Sequence, residues 1–170
     1  MEDKYITNKI NKMRGILMIY FCFALFGCQA TTTNNQLTEE LVGLVSPQQL
    51  LQAKQKFADN YQAYQPSENE LAAAKEFKGK SITVLFGAWC HDSQREVPRL
   101  LKVLDMAQSQ LLDLKLIAVN RNKQEPSGLY RSLELRYTPT FVLFEGTTEL
   151  GRVIETPTVS VIEDLAALTL

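Results

Sequence analysis

The segment FGAWCHDSQREVPR, residues 86–99, contains the side chains best suited to chemistry in this sequence. Cys90 follows a run of β-branched and aromatic residues and precedes a predicted helix. A cysteine at the start of a helix faces unpaired backbone N–H groups and the positive end of the helix dipole, and both favour a thiolate over a thiol. His91, when protonated, adds to this effect, whereas Asp92 opposes it. We therefore expect Cys90 to act as a nucleophile.

Other uses of Cys90 can be weighed from the residues alone. A buried, unreactive cysteine remains an alternative, although charged neighbours at the end of a strand make burial less common. Metal binding is disfavoured because Cys90 and His91 are adjacent, so no metal site and no cofactor is expected. A Cys-His-Asp triad is disfavoured because the members of such triads converge from separate segments. Peroxidase chemistry requires one acidic cysteine, but no peroxide-site motif accompanies this one.

The elements around Cys90 predict an α/β domain. SITVLFGAW is nearly all apolar, as expected of a strand covered on both faces, and it leads into a helix over about 91–110. LKLIAVN is a second such strand, and a short helix then ends near Leu135. TFVLFEGTTELGRVIE predicts two strands joined at 145–148, before a last helix. Because strand-helix-strand crossovers are right-handed, the early strands are parallel, and the late hairpin makes the sheet mixed.

Two helices are predicted ahead of the first of these strands. Ser46 and Pro47 mark a helix start, with serine as the N-cap and proline at the first helical position. A capping box of Ser67 and Glu70 starts an alanine-rich helix that should end near Gly79. The apolar patch LVGLV that precedes Ser46 is either an edge strand or a group of helix-packing residues.

These residues resemble the thioredoxin superfamily, in the form of a thioredoxin-like bacterial lipoprotein with a monothiol WCxxS site. FGAWC ends a predicted strand like the active-site turn of that family, and Pro98 lies where the family kinks its active-site helix. YTPTFVLF is similar to the cis-proline segment of the family. The resemblance covers residues 81–170, the core of a domain predicted over 46–170. It implies a thioredoxin-like fold, a central mixed sheet flanked by helices, with an extra N-terminal helical segment.

The resemblance also implies which residues form the site. It makes the Thr138–Pro139 peptide bond cis and lines a peptide groove with Trp89, Thr138 and Pro139. Dithiol members of the family carry a second cysteine where this chain has Ser93, and a serine cannot resolve a mixed disulfide. The Ser93 hydroxyl can still bond the Cys90 sulfur.

A second departure from the dithiol enzymes agrees with the first. Val84 stands where thioredoxins usually bury an aspartate that aids resolution. Together these departures argue against a general reductase and leave monothiol exchange or disulfide isomerisation open. The catalytic residues expected for such chemistry are Cys90, Ser93 and His91.

The start of the chain predicts a lipoprotein signal. Basic residues precede the apolar run ILMIYFCFALFG, which is shorter than the roughly 20 residues that cross a bilayer. LFGC resembles the bacterial lipoprotein box, which implies a signal peptide over 1–27, lipidation of Cys28 and a polar tether over 28–45. An uncleaved anchor and an ordinary secretory signal are the alternatives, and Met13 is an alternative start.

Lipidation implies a place in the bacterial cell envelope, anchored to a membrane and facing the periplasm. Gln29 after the lipidated cysteine favours the outer membrane by the sorting rule of such proteins. Cys22 would leave with the signal and Cys28 would become a thioether, so Cys90 would be the only free thiol in an oxidising compartment. The formal net charge of −1 gives no reason to expect nucleic acid as a partner.

Two functions follow as expectations. In the first, Cys90 forms transient mixed disulfides with cysteine-containing envelope proteins or with a small thiol. In the second, the fold and groove serve a redox-inert binding or envelope-assembly module.

Overall fold

A computed structural model of the chain describes residues 40–169. The predicted signal peptide, Cys28 and most of the predicted tether lie outside the described residues. Along residues 40–169, no helix has both the length and the apolar character needed to cross a membrane.

Five strands form one sheet in the order β1-β3-β2-β4-β5. β2 and β3 are parallel, and the other neighbouring pairs are antiparallel. The mixed sheet predicted from the sequence is therefore confirmed, and the LVGLV patch contains an edge strand. The strand bounds are Gly43–Val45 for β1, Ser81–Phe86 for β2, Asp113–Ala118 for β3, Thr140–Glu145 for β4 and Thr148–Ile154 for β5.

Helices begin largely where their caps predict. Ser46 and Ser67 each form the reciprocal capping box of their helix. The first predicted helix is divided in two at Lys54, whose backbone is extended with φ −130° and ψ 97°. The helix bounds are Pro47–Ala53 for α1, Gln55–Ala63 for α2, Glu68–Ala73 for α3, His91–Met106 for α4, Leu129–Ser132 for α5 and Val161–Ala166 for α6.

The helix that follows Cys90 is shorter than predicted. α4 ends at Met106, before the expected residue 110, because Gln108 adopts a left-handed backbone with φ 49°. Pro98 lies inside α4 and is buried. The α4 residues that face the sheet remain the predicted leucines, with Leu100, Leu101 and Leu104 buried.

The two faces of the sheet are covered unequally. On one face, strand residues that include Phe86 and Phe141 pack against α2, α4 and α6. On the other face, Leu85, Ile117 and Val142 pack under α5 and the residues after it. Since the central strand β2 contributes to both clusters, burial on both sides fixes the position of its C-terminal end. The turn that bears Cys90 begins at that end of β2.

Candidate functional site

Cys90 occupies the point where the central strand passes into α4. It is the N-cap residue of α4, with an extended backbone at φ −83° and ψ 129°. Its N–H donates to the Gly87 carbonyl at 2.9 Å, and its carbonyl accepts the first helical bond from Gln94 at 3.0 Å. The half-buried thiol therefore lies at the end of a long helix where N–H groups lack helical partners.

The thiol of Cys90 contacts the segment that leads into β4. Its Sγ lies 3.0 Å from the carbonyl oxygen of Thr138, a residue 48 positions away in the chain. The peptide bond between Thr138 and Pro139 is cis, and both residues are buried. The hydroxyl of Thr140 donates to the Tyr137 carbonyl at 2.7 Å, which holds this segment in place. The structure thus brings Cys90 together with the segment that the resemblance implies.

The contact with Thr138 uses the Cys90 sulfur as a donor. A thiol can donate a hydrogen bond to a carbonyl oxygen, whereas a thiolate cannot. Any group that donates to the Thr138 carbonyl in place of Cys90 competes with this contact.

Trp89 is fixed beside the thiol by a bond to the neighbouring strand. Its Nε1 donates to the Val119 carbonyl, at the end of β3, at 3.1 Å. A Cβ added to Gly87 would lie 2.6 Å from the indole ring, so the close approach of the ring requires glycine at this position. The half-buried ring leaves part of its surface accessible next to Cys90.

Ser93 and His91 lie in contrasting environments. Ser93 is 0% exposed, and its hydroxyl accepts a hydrogen bond from the Gly87 N–H at 3.3 Å. In the part of the chain that the structure describes, no hydrogen bond joins Ser93 to Cys90, so a supporting contact with the sulfur stays a prediction. His91 is exposed at the first position of α4. Val84, at the position noted for its missing aspartate, is fully buried in β2.

One buried carboxylate in α4 was missed by the sequence analysis. Glu96 is buried, and its Oε1 accepts hydrogen bonds from Arg95 and from Arg99, the latter at 3.2 Å. The bond to Glu96 raises the pKa of the Arg95 guanidinium, although burial acts in the opposite sense. Arg95 also pairs with Asp92 at 2.9 Å. The signal in the sequence was an arginine directly before Glu96 and a second arginine three residues after it.

The loop at residues 120–124 holds two cations that the sequence analysis also missed. The guanidinium of Arg121 lies 5.5 Å from the centroid of the Trp89 ring. The Nζ of Lys123 lies 5.8 Å from the centroid of the Tyr137 ring. The available signal was the run NRNKQ, which follows a buried strand and holds two basic residues without an acidic one.

A cleft of about 610 Å³ lies at the other end of the sheet. It is lined by residues of α1 and α2, the C-terminal part of α4 and the start of β3. Cys90, Trp89 and Thr138 are not among its lining residues. Over residues 40–169, no three His, Cys, Asp or Glu side chains are grouped so that they could hold a metal ion.

Solved structures with a similar fold were found. A protein of unknown function from Pseudomonas aeruginosa has a TM-score of 0.52 at 15% identity, and the match covers 73% of this chain and 96% of that one. An HIV epitope-scaffold has a TM-score of 0.52 at 15% identity, with 73% and 97% covered. Thioredoxin f2 of Chlamydomonas reinhardtii has a TM-score of 0.41 at 18% identity, with 57% and 82% covered.

The first two likenesses extend to the fold alone, since both identities are 15%. A search of curated proteins found no match. The family model described as thioredoxin matches residues 47–166, which is more than half of the chain. This match includes α1 to α6 and β2 to β5, together with the Cys90 turn and the Thr138–Pro139 segment. The chain therefore belongs to the thioredoxin family.

Proposed function

We propose that this chain is a lipid-anchored, periplasm-facing protein that exchanges disulfides through the single cysteine Cys90. The observation that carries the proposal is the position of the Cys90 sulfur, half-buried at the N-terminus of α4 and 3.0 Å from the Thr138 carbonyl. A sulfur in this position combines access for a client with a helix terminus that favours its ionisation.

The exchange reaction requires no other redox group. The Cys90 thiolate attacks one sulfur of a client disulfide, so that a Cys90–client disulfide forms as the old S–S bond breaks. The other client sulfur leaves as a thiolate and takes a proton from water. A second thiolate, from the client, a small thiol or another protein, then attacks the mixed disulfide and restores Cys90. When the client supplies that thiolate, the net reaction is isomerisation, without net oxidation or reduction.

Docking of a client displaces the Cys90 thiol from the Thr138 carbonyl. An extended client segment lies along Trp89, Thr138 and Pro139 and pairs with the backbone there, as in strand addition to a sheet. A client N–H can donate to the Thr138 carbonyl in place of the thiol. The sulfur is then released from that contact beside the bound client. Binding of the client and release of the sulfur are therefore coupled through one carbonyl oxygen.

The second candidate is a redox-inert binding or envelope-assembly module that uses the same groove. The buried Ser93 and Val84 favour this candidate, because neither position supplies the groups that dithiol enzymes use to resolve a mixed disulfide. The two candidates differ in one measurable property, the reactivity of Cys90.

Alkylation of Cys90 tests the proposal. The full-length chain with Cys22→Ser and Cys28→Ser has Cys90 as its only cysteine, and it is reacted with iodoacetamide in nonionic detergent between about pH 5 and 10. We expect one adduct per chain, at Cys90, with a rate that rises with pH because the thiolate is the nucleophile. The same chain with Cys90→Ser should give no adduct.

A Cys90 that stays unreactive throughout this range contradicts disulfide exchange and supports the binding module. A second experiment uses cells that express the full chain, and it looks on non-reducing gels for mixed disulfides between the chain and envelope proteins. Adducts that depend on Cys90 support exchange, and adducts that persist in the Cys90→Ser variant contradict it.

A further inference from the structure

Two cations stack on aromatic rings of the two segments that carry the Cys90 sulfur and its carbonyl partner. Arg121 lies over Trp89, and Lys123 lies over Tyr137, with distances to the ring centroids of 5.5 and 5.8 Å. Trp89 directly precedes Cys90 in the chain, and Tyr137 directly precedes the residue whose carbonyl contacts the thiol. Both stacked pairs therefore adjoin the proposed client groove.

The loop that carries these cations is held by its own hydrogen bonds. The side-chain oxygen of Asn120 accepts from the N–H groups of Asn122 and Gln124, both at 3.0 Å. The backbone of Asn120 also exchanges bonds with the loop, since its N–H donates to Gln124 at 3.0 Å and its carbonyl accepts from Lys123 at 2.8 Å. Stacking on a ring and a bonded backbone together limit the positions that each cation can adopt.

Within residues 40–169, neither cation forms an ion pair with a carboxylate. One carboxylate does reach this loop, since Glu40 accepts from the backbone N–H of Arg121 at 3.2 Å, whereas Asp92 pairs with Arg95 at 2.9 Å. Glu155 borders the groove from the β5 side, where its N–H donates to the Pro139 carbonyl at 2.8 Å. The loop side of the groove therefore presents two cationic side chains that, in the described part of the chain, are not ion-paired, with the Glu40 carboxylate bonded to the loop backbone.

We propose that clients present an acidic segment beside the cysteine that Cys90 attacks. This inference rests on the proposed function and specifies its substrate class, an extended segment with Asp or Glu close to a disulfide-bonded cysteine. A carboxylate that reaches Arg121 or Lys123 forms charge-assisted hydrogen bonds. Unpaired positive charge around the groove also raises the rate at which acidic segments arrive.

Three matched peptides test the inference. They share one length and one cysteine, and they differ only in having Glu, Gln or Lys on both sides of it. Each cysteine is joined by a disulfide to 2-thiopyridine. The Cys90 thiolate forms a disulfide with the peptide sulfur, and pyridine-2-thione leaves and is followed by its absorbance. The protein is the full-length chain with Cys22→Ser and Cys28→Ser in nonionic detergent.

At low ionic strength, we expect the Glu peptide to react at least about tenfold faster than the Lys peptide. Salt should bring this ratio towards one, because the screening length falls to about 3 Å at 1 M. Arg121→Gln combined with Lys123→Gln should remove most of the preference. Arg121→Lys combined with Lys123→Arg keeps both charges and should retain it.

Lys102→Gln is the matched control variant. It removes a cation that lies 4.7 Å from the centroid of the Tyr61 ring, away from the groove, and it should leave the preference unchanged. Equal rates for all three peptides overturn the acidic-client inference and leave the proposed function standing. A Cys90 that reacts with none of the peptides overturns the proposed function itself. If the Glu peptide still reacts faster than the Lys peptide after both Arg121 and Lys123 are replaced by glutamine, these two residues do not recognise the acidic segment.

Discussion

Ser93 determines how the client can be released from a mixed disulfide with Cys90. The residue is fully buried, and its hydroxyl is occupied by the Gly87 N–H at 3.3 Å. Since a serine cannot carry out the attack that a second cysteine would make, release depends on a thiol from another molecule. The proposed mechanism therefore predicts mixed disulfides that last until such a thiol arrives.

Ser93→Cys should shorten that lifetime. The new thiol lies in the first turn of α4, where attack on the Cys90–client bond becomes intramolecular and gains a large effective concentration. We expect release of a bound peptide at least about tenfold faster without added thiol, measured by mass spectrometry of the mixed disulfide over time. Ser93→Ala is the control, because it loses the bond to Gly87, worth about 1 kcal/mol, and adds no thiol. An unchanged lifetime in Ser93→Cys would refute this role.

Some residues of the candidate site could be predicted from their chemical type and order in the sequence, and others could not. Cys90, Trp89 and the Thr138–Pro139 pair were predicted because their types and order are distinctive over short stretches. Arg121 and Lys123 were missed because basic residues in a loop after a strand resemble any solvated loop. Their stacking on Trp89 and Tyr137 joins segments that are distant in the chain, so no local pattern reports it.

Among the connecting elements, the turn between the cationic loop and α5 depends on Glu125. Its buried carboxylate accepts from the N–H groups of Ser127 at 2.6 Å and Tyr130 at 3.3 Å. Burial alone would raise the pKa of Glu125, but these hydrogen bonds outweigh it and lower the pKa below its ordinary value. The carboxylate thus stabilises the turn in its charged form.

Glu125→Gln should reduce stability in a pH-dependent way. At pH 7 we expect the free energy of unfolding to fall by about 1–3 kcal/mol, as for other hydrogen bonds to a charged group. A lowered folded pKa stabilises the fold above the ordinary glutamate pKa of 4.5 and ceases to do so as the pH falls through the folded pKa. The difference between wild type and variant should therefore shrink below about pH 4.5.

Urea unfolding followed by far-UV circular dichroism at neutral and acidic pH measures this difference. Glu76→Gln, at an exposed position, is the matched control and should change stability little at either pH. A Glu125→Gln difference of the same size at neutral and acidic pH would show that the charge of the carboxylate is not what stabilises the turn.

Most of the elements could be predicted because their signals are local. The strands are rich in apolar and β-branched residues, and Ser46 and Ser67 cap the helices they precede. The break at Lys54 and the end of α4 near Gln108 could not be predicted in this way. Both positions adopt backbone conformations that no glycine or proline in the sequence announces, and tertiary packing selects them.

For the molecule as a whole, the proposed location depends on Cys28, which lies outside the described residues. Cells that express the full chain and are given labelled palmitate should incorporate the label, and Cys28→Ala should abolish incorporation. Cys22→Ala is the matched control and should leave it intact, because the lipoprotein box places the lipid on Cys28. Incorporation that persists in Cys28→Ala, or that is absent from the wild type, would contradict the lipid anchor.

The direction of β1 has a consequence for where exchange can occur. β1 runs antiparallel to β3, with Gly43 opposite Ala118. The chain therefore enters the sheet at the C-terminal ends of β2 and β3, which is the end of the sheet that bears Cys90. At this end Glu40 contacts the backbone of Arg121. The stretch from Cys28 to Glu40, fully extended at roughly 3.3–3.6 Å per residue, spans at most about 40 Å. A lipid on Cys28 would therefore keep Glu40 within about this distance of the membrane surface. Exchange would then be confined to a thin layer above the bilayer, where tethering raises the effective concentration of membrane-bound clients over freely diffusing ones.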